Sequence, residues 1–127
     1  PDRRREKRME QPVPTVSERD VLRIVRRDFP LEQFETVMAV LGEYGREEWQ
    51  KEVHRVRLAA LKLAGGDLDV LRRTIETAKC DFRDVIAPAE YPEYMKTVHP
   101  GTGLSTERVQ GVITRDRAQY EAWLKRG

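Results

Sequence analysis

The chain has 127 residues and a mass of 14.8 kDa, the size of one domain or of one domain with appendages. Charged residues make up 36% of it. Leu, Ile, Val and Phe together make up about a quarter, above the level at which disorder becomes the default. Basic residues number 24 and acidic ones 22, for a net charge of +2. Residues 1–15 hold five basic and three acidic groups, so the whole excess sits there and the remaining body is balanced. A balanced body lacks the positive field of a dedicated nucleic-acid module. No apolar stretch approaches the length of a membrane span, and no apolar run follows the basic N-terminus as a secretory signal requires. The single cysteine, Cys80, cannot form an internal disulfide and fits a reducing, cytoplasmic setting.

Residues 1–15 are charged and then punctuated by Pro12 and Pro14, with no apolar period, and read as a flexible basic arm. Residues 16–127 read as a single helical domain. Ser17 is placed to cap a first helix, with Asp20 as the return half of a capping box. Val21, Leu22, Val25 and Phe29 share one face of it. Pro30 ends that helix and opens a second. The second carries Leu31, Phe34, Val37, Met38, Leu41 and Tyr44, and closes at Gly45 in a left-handed position. A third helix is expected over 47–64, where Gly65 and Gly66 stop it, with Trp49, Val53, Val56, Ala60 and Leu63 as its apolar stripe.

Asp67 caps a fourth helix, the most regular in the chain. Leu68, Leu71, Ile75, Ala78, Phe82 and Val85 follow one another in alternating steps of three and four, and the run reaches Ile86. The stretch between Pro88 and Ser105 has no period and reads as a long loop, a kind of segment that is often functional. A last helix starts near Ser105 or Thr106 and carries Val109, Val112, Ile113, Tyr120, Trp123 and Leu124. No window alternates in the manner of a strand. The expectation is therefore all-α, about five helices in an up-and-down bundle or an irregular array. Its core is expected on Phe34, Leu41, Trp49, Val53, Leu71, Ile75, Phe82 and Trp123.

Chemistry-bearing patterns are sparse. Cys80 lies far from the start of its helix, and no dipole or imbedded imidazole lowers its pKa; neither His54 nor His99 is placed beside it by sequence. A structural, half-buried thiol is the plainer reading. Paired acids at Asp81 and Asp84, and at Glu48 and Glu52, share helix faces but sit among Lys51, Arg55, Lys79 and Arg83, which make ordinary ion pairs. No metal-ligand spacing, P-loop or nucleophile elbow occurs. No cofactor and no metal is expected, and no catalytic set is found.

Two surfaces remain. Arg19, Arg23, Arg26 and Arg27 make the first helix locally positive and, with Arg3, Arg4, Arg5, Lys7 and Arg8, could neutralise phosphates. A solvated helix face is the usual meaning of such a run. The segment 80–95 is more distinctive: it sets Asp84, Tyr91, Glu93 and Tyr94 around a proline-restricted bend. Tyrosines with carboxylates on a rigid bend suit a docking surface, while tyrosines that merely seal the core fit the same residues.

The stretches LAALKLAGGDLDVLRRTIETAKCDFRDVIAPAEYPEYM and RDRAQYEAWLKR resemble a group of small uncharacterised bacterial helical proteins. The resemblance implies a bacterial, cytoplasmic all-α domain and carries over no activity, substrate or catalytic residue. It also implies a helix continuing where Pro88 stands, which leaves the end of the fourth helix open. The favoured function is a non-catalytic protein-binding module acting on another protein through Asp84, Tyr91, Glu93 and Tyr94. Nucleic-acid association through the arm and first helix is the alternative. An enzyme built on scattered carboxylates comes third, because no motif supports it.

Overall fold

The computed structural model describes residues 13–98 and 103–126. The basic residues of the expected arm (Arg3, Arg4, Arg5, Lys7, Arg8) and His99 lie outside them. Among the described residues the order is α1 (Glu18–Asp28), a 3-10 turn (Leu31–Gln33), α2 (Phe34–Leu41), α3 (Val53–Ala64), α4 (Leu68–Cys80), α5 (Arg83–Glu90), α6 (Pro92–Thr97) and α7 (Thr106–Lys125). The molecule is all-helical, with no strand among these residues. Among the described residues seven helices replace the expected count of about five, and local backbone chemistry accounts for the difference.

The third helix begins at Val53, not at Glu47. The Gln50 side chain, itself buried, accepts hydrogen bonds from the backbone N–H groups of Gly45, Arg46 and Glu47 at 2.7, 2.8 and 3.1 Å. Those donors would otherwise serve the first turn of a helix. Glu52, just before α3, takes a left-handed conformation (φ 55°, ψ 45°) that a non-glycine residue holds only when its surroundings enforce it. The Tyr44 hydroxyl donates to the Lys51 carbonyl at 2.7 Å, and Arg57 Nη2 donates to the Tyr44 carbonyl at 2.8 Å. Trp49 is consequently on the surface, 51% exposed, a correction to its expected place in the core.

The expected fourth helix is two helices. Asp81 steps into an extended conformation (φ −158°, ψ 106°), with its N–H closing α4 on the Thr77 carbonyl. Its side chain then accepts the Arg83 N–H at 3.0 Å, capping α5. The apolar stripe runs across the break: Leu71, Ile75, Ala78 and Val85 are all buried. Pro88 lies inside α5, which continues to Glu90, and α6 follows at once with Pro92 in its first turn. The expected loop is thus helical over 88–90 and 92–97. Cys80, the last residue of α4, is exposed, so the half-buried reading is corrected.

The other termini follow their capping chemistry. Asp67 accepts the N–H groups of Asp69 and Val70 at 2.9 and 3.1 Å, and Ser105 accepts that of Arg108 at 3.2 Å. The Ser17 N–H donates to Asp20 Oδ2 at 3.1 Å. Gly66, at φ +87°, lets the α3–α4 turn press on the end of α1; a Cβ there would meet the Asp28 carbonyl oxygen at 2.9 Å.

Helix α3 is the centre of the array, packed against α1, α4 and α5. That explains why Val56, Leu58, Ala59, Ala60 and Leu61 are all fully buried: a surrounded helix buries more than one stripe. Leu41, Leu71, Ile75 and Trp123 are in the core as expected. Phe34, Val53 and Phe82 are only partly buried. Helix α7 packs on α5 and α6 and so reaches the tyrosine-bearing segment.

Candidate functional site

The α5–α6 junction is a sharp turn at Tyr91 (φ −138°, ψ 62°), so the final carbonyls of one helix and the first N–H groups of the next both need partners. Helix α7 supplies both kinds. Gln119 Nε2 donates to the carbonyls of Ala89 and Glu90 at 3.2 and 3.3 Å. One turn earlier, the Asp116 carboxylate accepts the N–H groups of Glu93 and Tyr94, at 2.9 Å each. Asp116 is 2% exposed and stands at the positive end of α6, where a carboxylate is favoured. The neighbouring Arg115 holds Glu93 in a two-point ion pair, Nε–Oε1 at 2.9 Å and Nη2–Oε2 at 2.5 Å. Its hydrogen bonding lowers the Glu93 carboxyl pKa from the usual value.

On this clamped turn Tyr91 and Tyr94 are both partly exposed. Their rings meet edge to face, with centroids 5.9 Å apart and planes at 87°, a preferred aromatic geometry. Burial pushes the Tyr91 phenol pKa up, with the Glu90 charge adding to the effect. Neither tyrosine is a fully buried plug. The structure therefore brings Tyr91, Glu93 and Tyr94 together. Asp84, seven residues before Tyr91, is exposed and borders a different, shallow depression beside Arg73 and Thr77.

Next to Tyr91 lies a cavity of about 230 Å³, walled by Val13, Pro14, Tyr91, Tyr120 and Leu124, with Glu90 in its lining and Arg117, Glu121 and Lys125 among its polar residues. Glu90 is 6% exposed and is paired by two parallel hydrogen bonds from Arg55, Nε–Oε2 and Nη2–Oε1, both 2.8 Å. That pairing raises the Arg55 pKa further above its already high value. A buried ion pair is an expensive way to hold two helices together, and this one joins α3 to α5 beside the cavity. The Tyr120 hydroxyl is buried without a partner among the described residues, and burial, first of all, drives its pKa well up.

Sequence reasoning missed Asp116, and it gave Glu90 and Arg55 no pairing with each other: Glu90 stood only among the acids of the 80–95 segment, and Arg55 only as a partner for nearby acids such as Glu52, which it does meet at 3.1 Å. Each is a charged residue on a charged helix, and only its neighbours in space set it apart. Among the described residues no group of three or more His, Cys, Asp and Glu gathers as a metal site. His54 Nδ1 is buried without a partner among the described residues. No described helix is long and apolar enough to cross a membrane.

The arginines of α1 divide. Arg27 Nη1 donates to the carbonyls of Trp123 and Arg126 at 2.6 and 2.7 Å, closing the C-terminus of α7 where a cation is favoured. The same guanidinium lies 5.3 Å above the Trp123 ring. Arg26 lies 5.4 Å over the Phe34 ring. Arg23 meets Asp20 at 3.4 Å. Of this run Arg27 is committed to holding the fold, while Arg19, Arg23 and Arg26 are exposed. Comparison with protein-family models, with curated proteins and with solved structures yields no match.

Proposed function

We propose that this chain is a non-catalytic protein-binding domain that engages another protein through the α5–α6 junction. Tyr91, Glu93 and Tyr94 are the contacts, with Asp84 at the margin. The observation that carries the reading is the double clamp from α7: Asp116 and Gln119 fix the turn from beneath while the two tyrosines keep part of their surface in solvent. A preorganised aromatic surface loses little entropy on binding, and tyrosine is over-represented among the residues that dominate interfaces. Nucleic-acid association stands second: of the four arginines of α1 Arg27 is engaged internally, and Arg19, Arg23 and Arg26 stay exposed on a body whose charge is balanced. The single cysteine supports a reducing, cytoplasmic setting.

Affinity capture from the native cell with the wild-type chain and with Tyr94→Ala tests this. Retention of a protein by the first and its loss by the second, at closely similar melting temperatures, is the expected result. A Tyr94→Ala variant that unfolds places the ring in the core and removes the proposal. So does capture that is indifferent to the substitution.

A further inference from the structure

Arg55 links the segment that follows the exposed Trp49 to the lining of the cavity beside Tyr91. Its Nη1 meets Glu52 Oε2 at 3.1 Å, three residues after Trp49, while its other two nitrogens hold Glu90 in the cavity lining. Trp49 is 51% exposed on a turn fixed by the three hydrogen bonds to Gln50, and no hydrogen bond of its indole N–H occurs among the described residues. A large aromatic side chain held out on a rigid backbone is the form of an interface anchor.

The cavity has complementary properties. At about 230 Å³ it is smaller than the roughly 300–1,000 Å³ of small-molecule sites, and suits one large side chain. Its walls are the rings of Tyr91 and Tyr120 with Leu124 and Pro14. Each Glu90 oxygen accepts one bond from Arg55 and a carboxylate oxygen has room for another, so the lining can accept an N–H donor. Glu47 and Glu48, exposed beside Trp49, form no ion pair among the described residues. Lys125, exposed, and Arg117, paired with Glu121 at 3.3 Å, stand at the cavity.

We propose that two copies of this chain form a symmetric dimer in which Trp49 of each enters the Glu90-lined cavity of the other. When each copy's knob fills the other's hole about one two-fold axis, the contact closes as a pair and does not propagate. The indole ring packs on Tyr91, Tyr120 and Leu124, its N–H donates to Glu90, and Glu47 and Glu48 face Lys125 and Arg117. The inference deepens the protein-binding reading, since Tyr91 belongs to both surfaces; Tyr94 is needed only for the other partner, so capture by Tyr94→Ala tests that reading separately.

Sedimentation of the full chain from about 1 μM to about 1 mM, a range spanning weak to moderate affinities, provides the test. The wild-type chain is expected to show a concentration-dependent dimer. Trp49→Ala, which removes the knob, and Leu124→Trp, which fills the hole, should each raise the dimer dissociation constant at least about thirtyfold. Mixing the two variants restores one knob facing one intact hole, so the mixture should dimerise more tightly than either variant alone. A wild-type chain that stays monomeric throughout overturns the proposal and leaves the cavity to a side chain of a different protein. A dimer whose dissociation constant is unchanged by Trp49→Ala overturns it equally. Should Leu124→Trp fail to fold, the Trp49→Ala comparison decides alone.

Discussion

Replacing Asp116 by alanine removes the one group that accepts both leading N–H donors of α6. The two hydrogen bonds are short, 2.9 Å each, and their acceptor is 2% exposed. Hydrogen bonds to a charged partner contribute about 1.5–3 kcal/mol each when the released donor stays buried. Here α6 is a six-residue surface helix with no buried residue, so water reaches the freed donors and the loss falls towards that of an N-cap, about 0.5–2 kcal/mol. Adding the void left beside α7 gives about 2–3 kcal/mol in all. For a chain of this length that lowers the melting temperature by very roughly 6–15 °C. Asp116→Asn keeps one acceptor oxygen and should lose about half as much. Urea unfolding followed by circular dichroism measures both variants. A quenching experiment adds the local readout: Tyr91 and Tyr94 should become more accessible in Asp116→Ala under native conditions. Unchanged stability together with unchanged tyrosine accessibility would refute the reasoning, because the clamp would then not be what holds the junction.

Two further outcomes follow from buried phenols. The Tyr120 hydroxyl is buried with no partner among the described residues, so Tyr120→Phe should be neutral or stabilising by up to about 1–2 kcal/mol; a loss greater than about 1 kcal/mol in a urea titration would show that the hydroxyl is in fact satisfied. Tyr44 is fully buried, and burial, with a lesser effect from Glu52, pushes its phenol from its ordinary value of 10.0 up to about 12. A phenol raised on folding contributes stability that is complete below its unfolded pKa and is lost as pH rises towards the folded one. Stability should therefore decline between pH 10 and about 12, and Tyr44→Phe should flatten that decline. Tyrosinate absorbance that rises fully near pH 10 while the helical signal is intact would contradict the burial.

The parts of the fold visible in the sequence were those governed by a single helix and its own ends. Asp67 and Ser105 announce helix starts because a short oxygen-bearing side chain satisfies the donors immediately following it. The stripe from Leu71 to Val85 announces burial because its spacing matches the helical turn. The same stripe concealed the break at Asp81. Apolar period reports which way residues face, and α4 and α5 face the same core, so a step of backbone between them leaves the period intact. Asp81, whose side chain caps Arg83, was the available signal: an aspartate ahead of Arg83 and Asp84 is a helix start as well as a member of a charged run.

Trp49 shows the opposite error. Its spacing from Val53 and Val56 fits a helical stripe, but the turn is decided by Gln50, whose one carbonyl oxygen takes three N–H donors. Glutamine advertises no such role from sequence, because the geometry depends on Tyr44 and Arg57 bracing the same turn. The candidate site divides along the same line. Tyr91, Glu93 and Tyr94 are neighbours in the chain and could be grouped by eye. Asp116 lies more than 20 residues away and Arg55 is 35 residues from Glu90, and nothing local distinguishes either from a solvated charge. What separates them is burial: a carboxylate or guanidinium removed from water persists only where partners are fixed in place. Here the fixed partners are the backbone of α6 and the carboxylate of Glu90, so Asp116 and the Arg55–Glu90 pair both stand behind the segment that carries Tyr91 and Tyr94.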